Sequence, residues 1–197
     1  VVACNTATTN AIKELRATYD VPFIGIEPAI KPAAINSQKN VIGILATQGT
    51  LNSELFHQTA EKFHDTKIIE QIGHGLVPLI ENGEYDKAGA DYFVKSYLDQ
   101  LFSQSKDIDT ILLACTHYPL LAAKIASYLP KGVKLVSQGD IVATSLLQYL
   151  DNHPVIAKKC SQNGKLQFYT TDNPQTFEKQ ASAFFGQKVE ANHTDLA

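Results

Sequence analysis

Methionine is absent from this sequence of 197 residues. A complete reading frame starts with methionine, whereas this chain opens at Val1 in an apolar run that is typical of a strand. Trimming of a start residue is one explanation. The explanation that we favour is that an N-terminal part of the natural protein is absent from this sequence.

Cysteine is scarce as well, and neither sign of charge dominates. The three cysteines, an odd number spread far apart, indicate free thiols in a reducing compartment. A net charge of −3 and a pI near 6.1 argue against a protein that binds nucleic acid or a membrane surface, because such proteins carry clustered lysine and arginine. No apolar run approaches the ~18 residues of a membrane span. We therefore expect a cytoplasmic protein without a nucleic-acid or membrane partner.

One stretch of the sequence, Thr110–Leu121, reads TILLACTHYPLL. Its apolar first half stops at a cysteine, and a Tyr-Pro pair then separates the run from a predicted helix. A continuous apolar run that ends at such a breaker is typical of a strand buried on both faces, as in a parallel sheet. Ligands bind outside the carboxyl ends of such strands, against the N-termini of the following helices. The stretch therefore predicts that Cys115, Thr116 and His117 bind an anionic small molecule.

The beginning of the chain repeats this pattern. An apolar run ends at Cys4, Asn5 and Thr6, and a predicted helix follows to about Tyr19. The strand predicted after each of the two helices begins at almost the same number of residues after the cysteine that precedes that helix. Similarity within one chain over such a long period indicates related structural units. We expect two related α/β lobes, each with a cysteine where a strand meets a helix.

Strands and helices alternate along the whole chain. The sequence predicts doubly buried strands over 41–46 and 110–114, further strands over 67–72 and 133–136, and helices between them. This alternation is typical of mostly parallel sheets flanked by helices. The predicted fold class is therefore α/β.

The cysteines have structural interpretations beside a catalytic one. A buried cysteine is most often a small hydrophobic residue, and Cys160, in a polar stretch without a motif, keeps that interpretation. The spacing of Cys115 and His117 is too tight for a usual structural zinc pair, and no second pair is present. A disulfide between Cys4 and Cys115 is disfavoured in a reducing compartment. A nucleophilic Cys–His pair leaves Cys4 without a role.

Two matched thiols that face one pocket suit proton transfer better than these alternatives. One thiol removes a proton from carbon while the other delivers a proton to the opposite face. A helix N-terminus favours the thiolate. Lowering a thiol pKa from ~8.5 to ~7 requires ~2 kcal/mol, which a helix end and one or two hydrogen bonds can supply. We therefore expect Cys4 and Cys115 to have lowered pKa values.

Other polar residues at the predicted strand ends have two interpretations each. Thr47 and Thr50 either donate to a carboxylate or form an ordinary helix cap. Asn5, Thr6 and Thr116 either bind a ligand or stabilise turns.

Two further candidates stand outside the strand ends. His117 acts as a general acid or orients Cys115. Glu81 alone is typical of a solvated helix residue. The remaining histidines share no metal-binding spacing, and no metal is predicted.

Five segments together resemble the glutamate racemases of the aspartate/glutamate racemase family: VVACNTAT, GILATQGT, GLVPLIENG, ILLACTHYPLL and FYTTDNPQTFEKQASAFFG. They occur in the family's order over nearly the whole chain, and the pair ACNTA and CTHYP is specific. The resemblance implies two α/β lobes with the active site in the cleft between them. Residues 27–136 form the second lobe, and residues 1–26 with 137–197 form the remainder of the first.

The resemblance also implies a function. It implies racemisation of L-glutamate to D-glutamate for peptidoglycan synthesis, and hence for the cell wall and cell shape, without a cofactor. The partners that it implies are the small-molecule substrate and a second copy of the chain in a homodimer. In the implied mechanism, a thiolate removes the α-proton, the opposing thiol protonates the carbanion, and donors such as Asn5, Thr6 and Thr116 hold the α-carboxylate.

The resemblance assigns roles to individual residues. Cys4 and Cys115 are the acid/base pair, Glu81 matches a family carboxylate near the second thiol, and His117 matches a histidine that assists that thiol. Substrate binding is assigned to a larger set: Asn5, Thr6, Thr47, Thr50, Thr116 and His117.

The sequence departs from the family pattern at several places. A glycine-rich Asp-Ser-Gly segment and a later Pro-Tyr-Gly segment are missing, as expected if the N-terminal segment of the family is absent. Gly73-His74-Gly75 and Ser137-Gln138-Gly139 also differ from the family, and both indicate structural changes. Two alternatives therefore stay open: a related aspartate or hydantoin racemase or maleate-type isomerase, and a catalytically inactive fragment that acts only as a binding module.

Overall fold

The computed structural model describes residues 1–195. Its main sheet consists of β1 (Val41–Ala46), β2 (Lys67–Ile72), β3 (Thr110–Ala114) and β4 (Lys134–Val136), in the order β2-β1-β3-β4. All three strand pairs of this sheet are parallel. The α/β architecture with a parallel sheet predicted from the sequence is confirmed.

Helices alternate with these strands. The α-helices of residues 1–195 are α1 (Asn5–Thr18), α2 (Ile30–Asn36), α3 (Gln48–Leu51), α4 (Glu54–Ala60), α5 (Leu76–Glu81), α6 (Ala88–Gln104), α7 (Ala122–Tyr128), α8 (Gly139–Asn152), α9 (Pro154–Ala157) and α10 (Pro174–Phe185). Short 3₁₀ turns cover Glu61–Phe63 and Tyr118–Leu121. These helices are too short or too polar to span a membrane.

Both faces of the main sheet are buried. Ile42 and Ile44 of β1 pack with Phe56 of α4 on one face. Leu45, the next residue of β1 with the opposite orientation, packs with Leu101 of α6 on the other. Because successive side chains of a strand point to opposite faces, burial on both sides requires the continuous apolar runs seen in the sequence.

The N-terminal strands predicted at Val1–Ala3 and Val21–Ile26 are wrong. The structure has only an isolated parallel bridge between Val2 and Gly25 in this region. The Val2 N–H donates to the Ile24 carbonyl, and the Ile26 N–H donates to the Val2 carbonyl. The backbone is therefore paired at a single position, which is too little for a strand.

A second, small sheet lies near the C-terminus. It consists of β5 (Phe168–Thr170) and β6 (Ala191–His193), which pair in parallel. The sequence predicts a strand over 165–170, where apolar residues alternate, and a short strand over 188–191; both predictions are partly wrong, because the first strand is shorter and the second begins later. All strands of the main sheet lie within residues 27–136, and the small sheet lies within 137–197. The division into two lobes at these boundaries stays a prediction.

Candidate active site

Cys115 is the first residue after β3, at the carboxyl end of the main sheet. It is buried, with 7% of its surface exposed. Burial raises the pKa of the Cys115 thiol to about 11, although the backbone N–H groups of His117 and Tyr118 donate to the sulfur and oppose the rise. The sequence-based expectation of a lowered pKa is therefore wrong for Cys115, because desolvation of a thiolate outweighs these two hydrogen bonds. A short 3₁₀ turn, not a long helix, follows this thiol.

Cys4 occupies the N-cap position of α1 and is exposed. Negative charge on Cys4 contributes to the raised pKa of Cys115, so the two thiols are close enough to interact electrostatically. Both are free cysteines. The third cysteine, Cys160, follows α9 and is exposed. Its sulfur donates to the carbonyl of Ile156 in that helix. α1, which begins directly after Cys4, is joined to β3, which ends directly before Cys115, through hydrogen bonds from Asn5 to Gln138 and from Gln138 to Leu113.

Three threonine hydroxyls join α1 to the end of β1. The Oγ1 atom of Thr6 lies 2.7 Å from that of Thr47 and 3.1 Å from that of Thr50, and the latter two are 3.0 Å apart. Thr47 is also the N-cap of α3, because its hydroxyl accepts the Thr50 N–H. The Thr47 hydroxyl therefore caps α3 and belongs to the group of three threonine hydroxyls at the same time. A Cβ atom on Gly49 would lie 2.7 Å from the Thr6 methyl carbon, so glycine at this position lets α1 approach.

A carboxylate and an imidazole form a pair close to Cys115. His117 Nε2 lies 3.0 Å from Glu81 Oε1 at the end of α5. Both side chains are partly exposed, at 30% for His117 and 43% for Glu81. The negative charge of Glu81 contributes to the raised pKa of Cys115, which places this pair near the buried thiol. Thr116, between Cys115 and His117, is exposed.

Asn5 is held in a buried network that the sequence did not indicate. Its Nδ2 group donates to the Ile26 carbonyl at 3.0 Å and to Gln138 Oε1 at 2.7 Å. Gln138 Nε2 in turn donates to the Leu113 carbonyl in β3 at 3.0 Å. Both N–H groups of the Asn5 amide are thereby engaged, so the donor that Asn5 can offer to a substrate carboxylate is its backbone N–H at the start of α1. The only signal for Gln138 was its place in the segment that departs from the family pattern.

The other departure includes Gly73, which packs closely against the side chain of Tyr118. The hydroxyl of Tyr118 is fully buried and donates to the Gly73 carbonyl at 3.2 Å. A Cβ atom on Gly73 would lie 2.5 Å from that hydroxyl oxygen. Glycine at this position therefore makes room for Tyr118, the residue that follows the predicted site residues of β3.

Comparison with known proteins identifies the family of this chain. The family model for Asp/Glu/Hydantoin racemase matches residues 1–146. This match covers more than half of the chain, and the chain belongs to this family.

The similar relatives within the family are glutamate racemases. The chain is 37% identical over 181 residues to a glutamate racemase of Pseudomonas putida. The aligned segment covers 91% of this chain and 67% of the relative. It is 35% identical over 191 residues to that of Stutzerimonas stutzeri, which covers 96% of this chain and 70% of the relative. The chain thus spans about two thirds of the length of these relatives.

Solved structures show the same similarity. The glutamate racemase isoform RacE1 of Bacillus anthracis superposes with a TM-score of 0.86 at 29% identity, covering 98% of this chain and 72% of that one. The Escherichia coli glutamate racemase, solved with L-glutamate and the activator UDP-MurNAc-ala, superposes with a TM-score of 0.80 at 27% identity, covering 98% and 71% of the two chains.

Proposed function

We propose that this chain interconverts L- and D-glutamate without a cofactor, with Cys4 and Cys115 as the two acid/base residues. The observation that carries the proposal is the hydrogen-bonded link from Asn5, next to Cys4, through Gln138 to Leu113 of β3, the strand that ends directly before Cys115. Membership of the racemase family and the similarity to glutamate racemases support glutamate as the substrate. D-glutamate made in this way would supply peptidoglycan synthesis.

The raised pKa of Cys115 assigns it a protonation state. A thiol with a pKa of about 11 is protonated at neutral pH, so Cys115 enters the reaction as a proton donor. When Cys115 is the proton donor, Cys4 is the base that removes the α-proton, and the electron pair moves into the adjacent carboxylate. The Cys115 S–H then protonates the opposite face of the same carbon. The reverse reaction exchanges the two roles, and proton exchange with water restores the starting state.

The carboxylate needs hydrogen-bond donors as negative charge develops on it. The first N–H groups of α1 have no partner within the helix, and they follow Cys4 directly. The hydroxyls of Thr6, Thr47 and Thr50 lie next to this helix end. Thr116 is exposed beside Cys115 and supplies another hydroxyl. We assign these groups to the carboxylates of the substrate, and the positive end of the α1 dipole adds to their effect.

Glu81 and His117 complete the proposed site. A histidine that is hydrogen-bonded to a carboxylate is held in one orientation, and this one lies two residues from Cys115. We assign His117 to substrate binding and to proton transfer with Cys115, and Glu81 to its support. The homodimer implied by the family resemblance stays a prediction that size-exclusion chromatography with light scattering would test.

The test is exchange of the α-proton of glutamate. The chain is incubated with D-glutamate in D₂O, and proton NMR follows the loss of the α-proton signal while circular dichroism follows the loss of optical activity. We expect Cys4→Ser and Cys115→Ser each to lower the rate at least ~100-fold. Cys160→Ser, which removes an exposed thiol outside the site, is the matched control and keeps the full rate.

Two results would contradict the proposal. Full activity of either site variant would show that two thiols are not required. If the unmodified chain exchanges no α-proton and calorimetry detects no binding of D-glutamate, the racemase assignment fails, and the alternative of an inactive fragment is favoured. Exchange with aspartate but not with glutamate would shift the assignment to a related racemase.

A further inference from the structure

A pocket lies at the opposite end of the main sheet from Cys115. Its walls come from the segments that precede β1, β3 and β4, together with one face of α6. Cys115 follows the carboxyl end of β3, whereas Asp109, which lines the pocket, precedes the amino end of the same strand. The five residues of β3 separate the two places by about 16 Å, since a strand rises about 3.3 Å per residue. The pocket has a volume of about 570 Å³, which suits a small organic molecule.

The floor of this pocket is apolar. It is lined by four side chains that lie in the core or pack against it: Leu98, Phe102, Ile108 and Val133. Leu98 and Phe102 are one helical turn apart on α6, and Lys95 and Asp99 lie on the same face of that helix. An apolar ring that entered the pocket would therefore bury its surface against side chains that the core already holds in place.

The rim of the pocket carries positive charge, although the chain as a whole has a net charge of −3. Four lysines line it: Lys39, Lys95, Lys106 and Lys131. Lys39 pairs with Asp107 at 3.1 Å, whereas the other three form no ion pair with a carboxylate of residues 1–195. Of the two carboxylates that line the pocket, that of Asp109 already accepts the backbone N–H groups of Gln38 and Lys39, at 2.6 and 2.8 Å. The excess of unpaired lysines therefore attracts an anion to this pocket.

The loop that carries Lys131 has a defined shape. The Val133 N–H donates to the Pro130 carbonyl at 3.1 Å, which closes a tight turn over residues 130–133. Gly132 has a φ of +91° within this turn, in the left-handed region that favours glycine. Because the turn already holds Lys131 at the rim, a ligand binds there without having to order the loop.

We propose that this pocket binds a small phosphate monoester with an apolar ring. The ring packs on Leu98 and Phe102, and the phosphate lies among Lys95, Lys106 and Lys131. Lysine binds phosphate as a point charge, and a phosphate monoester carries a charge of about −1.5 to −2 at pH 7, so several lysines suit it better than one. Since the pocket and Cys115 lie at opposite ends of the sheet, this ligand is distinct from the substrate, and its binding does not depend on the proposed function.

The first test separates the ring from the charge. Calorimetry at low salt measures the binding of 1-naphthyl phosphate, of inorganic phosphate, which lacks the ring, and of 1-naphthol, which lacks the charge. We expect 1-naphthyl phosphate to bind at least ~10-fold more tightly than either of the other two, because only this compound uses both the floor and the rim. Equal affinity for inorganic phosphate or for 1-naphthol, or no binding of 1-naphthyl phosphate, would overturn the proposal.

Substitution of the lysines tests the rim directly. Lys106→Gln combined with Lys131→Gln removes two exposed charges, and we expect 1-naphthyl phosphate to bind this double variant roughly tenfold more weakly. Lys158→Gln, a change to an exposed lysine after α9 and outside the pocket, is the matched control and keeps the full affinity. Circular dichroism checks that both variants fold. An unchanged affinity of the double variant would contradict the assignment of the phosphate to these lysines.

A third measurement locates the ligand in the unmodified chain. NMR should show that 1-naphthyl phosphate shifts the backbone amide signals of Ile108 and Gly132, and that saturating D-glutamate leaves its affinity unchanged. Competition with D-glutamate would place the compound in the proposed active site and overturn the inference. Tighter binding of hexaglutamate than of 1-naphthyl phosphate, or self-association that the double variant abolishes, would mark this face as a protein interface and overturn it as well. None of these readouts requires that the chain racemises glutamate.

Discussion

Chemical modification of Cys115 offers a direct test of the electrostatics of this site. The perturbation is iodoacetamide at pH 8, added to the folded chain and to the chain unfolded in urea. Burial raises the pKa of Cys115 from the ordinary value of 9.0 to about 11. Because the thiolate is the nucleophile, we expect the folded chain to be modified slowly at this residue.

The magnitude follows from the two pKa values. At pH 8 the thiolate fraction is roughly 0.1 in the unfolded chain and roughly 0.001 in the folded chain, a ratio of about 100. A thiolate with a higher pKa is intrinsically more nucleophilic, with a Brønsted coefficient of about 0.4–0.5, so two pKa units recover a factor of about 6–10. The difference in ionisation thus slows the modification of Cys115 about 10-fold in the folded chain relative to the unfolded chain. The low exposure of Cys115 slows the reaction further.

The assay is mass spectrometry of peptides that contain each cysteine, sampled over time. Cys160 is exposed and serves as the internal control, because folding does not remove its access to the reagent. We expect modification of Cys115 to be at least ~10-fold slower in the folded chain than in urea. Equal rates for Cys115 in the two states would refute both its burial and its assignment as a protonated thiol at neutral pH.

Two further perturbations test the packing around the site. Since the folded-state pKa of Cys115 is raised, its contribution to stability is complete below about pH 9 and is lost as the pH rises towards 11. Urea denaturation measures the free energy of unfolding at pH 8 and at pH 10. Between these two values, the unmodified chain should lose about 1.4 kcal/mol more unfolding free energy than Cys115→Ala does, and equal losses would contradict this expectation. Gly49→Ala places a Cβ atom 2.7 Å from the Thr6 methyl carbon, so it should cost about 1–3 kcal/mol of unfolding free energy and weaken D-glutamate binding. Gly89→Ala in α6, where a Cβ atom meets nothing within 4 Å, is the control and should stabilise the chain by about 0.5–1 kcal/mol; a similar gain from Gly49→Ala would refute the close approach.

Much of the fold follows from local sequence patterns. Strands β1 and β3 begin and end where the apolar runs predict, because burial on both faces leaves no polar position inside a central parallel strand. The same pattern predicts that Cys115 lies at a strand end, since the apolar run stops there. The sequence also predicts a helix from Asn173 to Phe185 that stops at Gly186, and α10 spans Pro174–Phe185 with Asn173 as its N-cap.

Other features were decided only by the tertiary structure. Asn5 and Gln138 are 133 residues apart, and no local pattern indicates that their amides meet. The pKa of Cys115 rises because helices and strands distant in sequence exclude water from it, and this effect outweighs the local N–H groups. The bridge between Val2 and Gly25 stays isolated for a related reason: a strand exists only where a second segment pairs with it over several residues. The sequence thus determined which residues stand at the ends of strands, and long-range packing determined their protonation, their orientation and their neighbours.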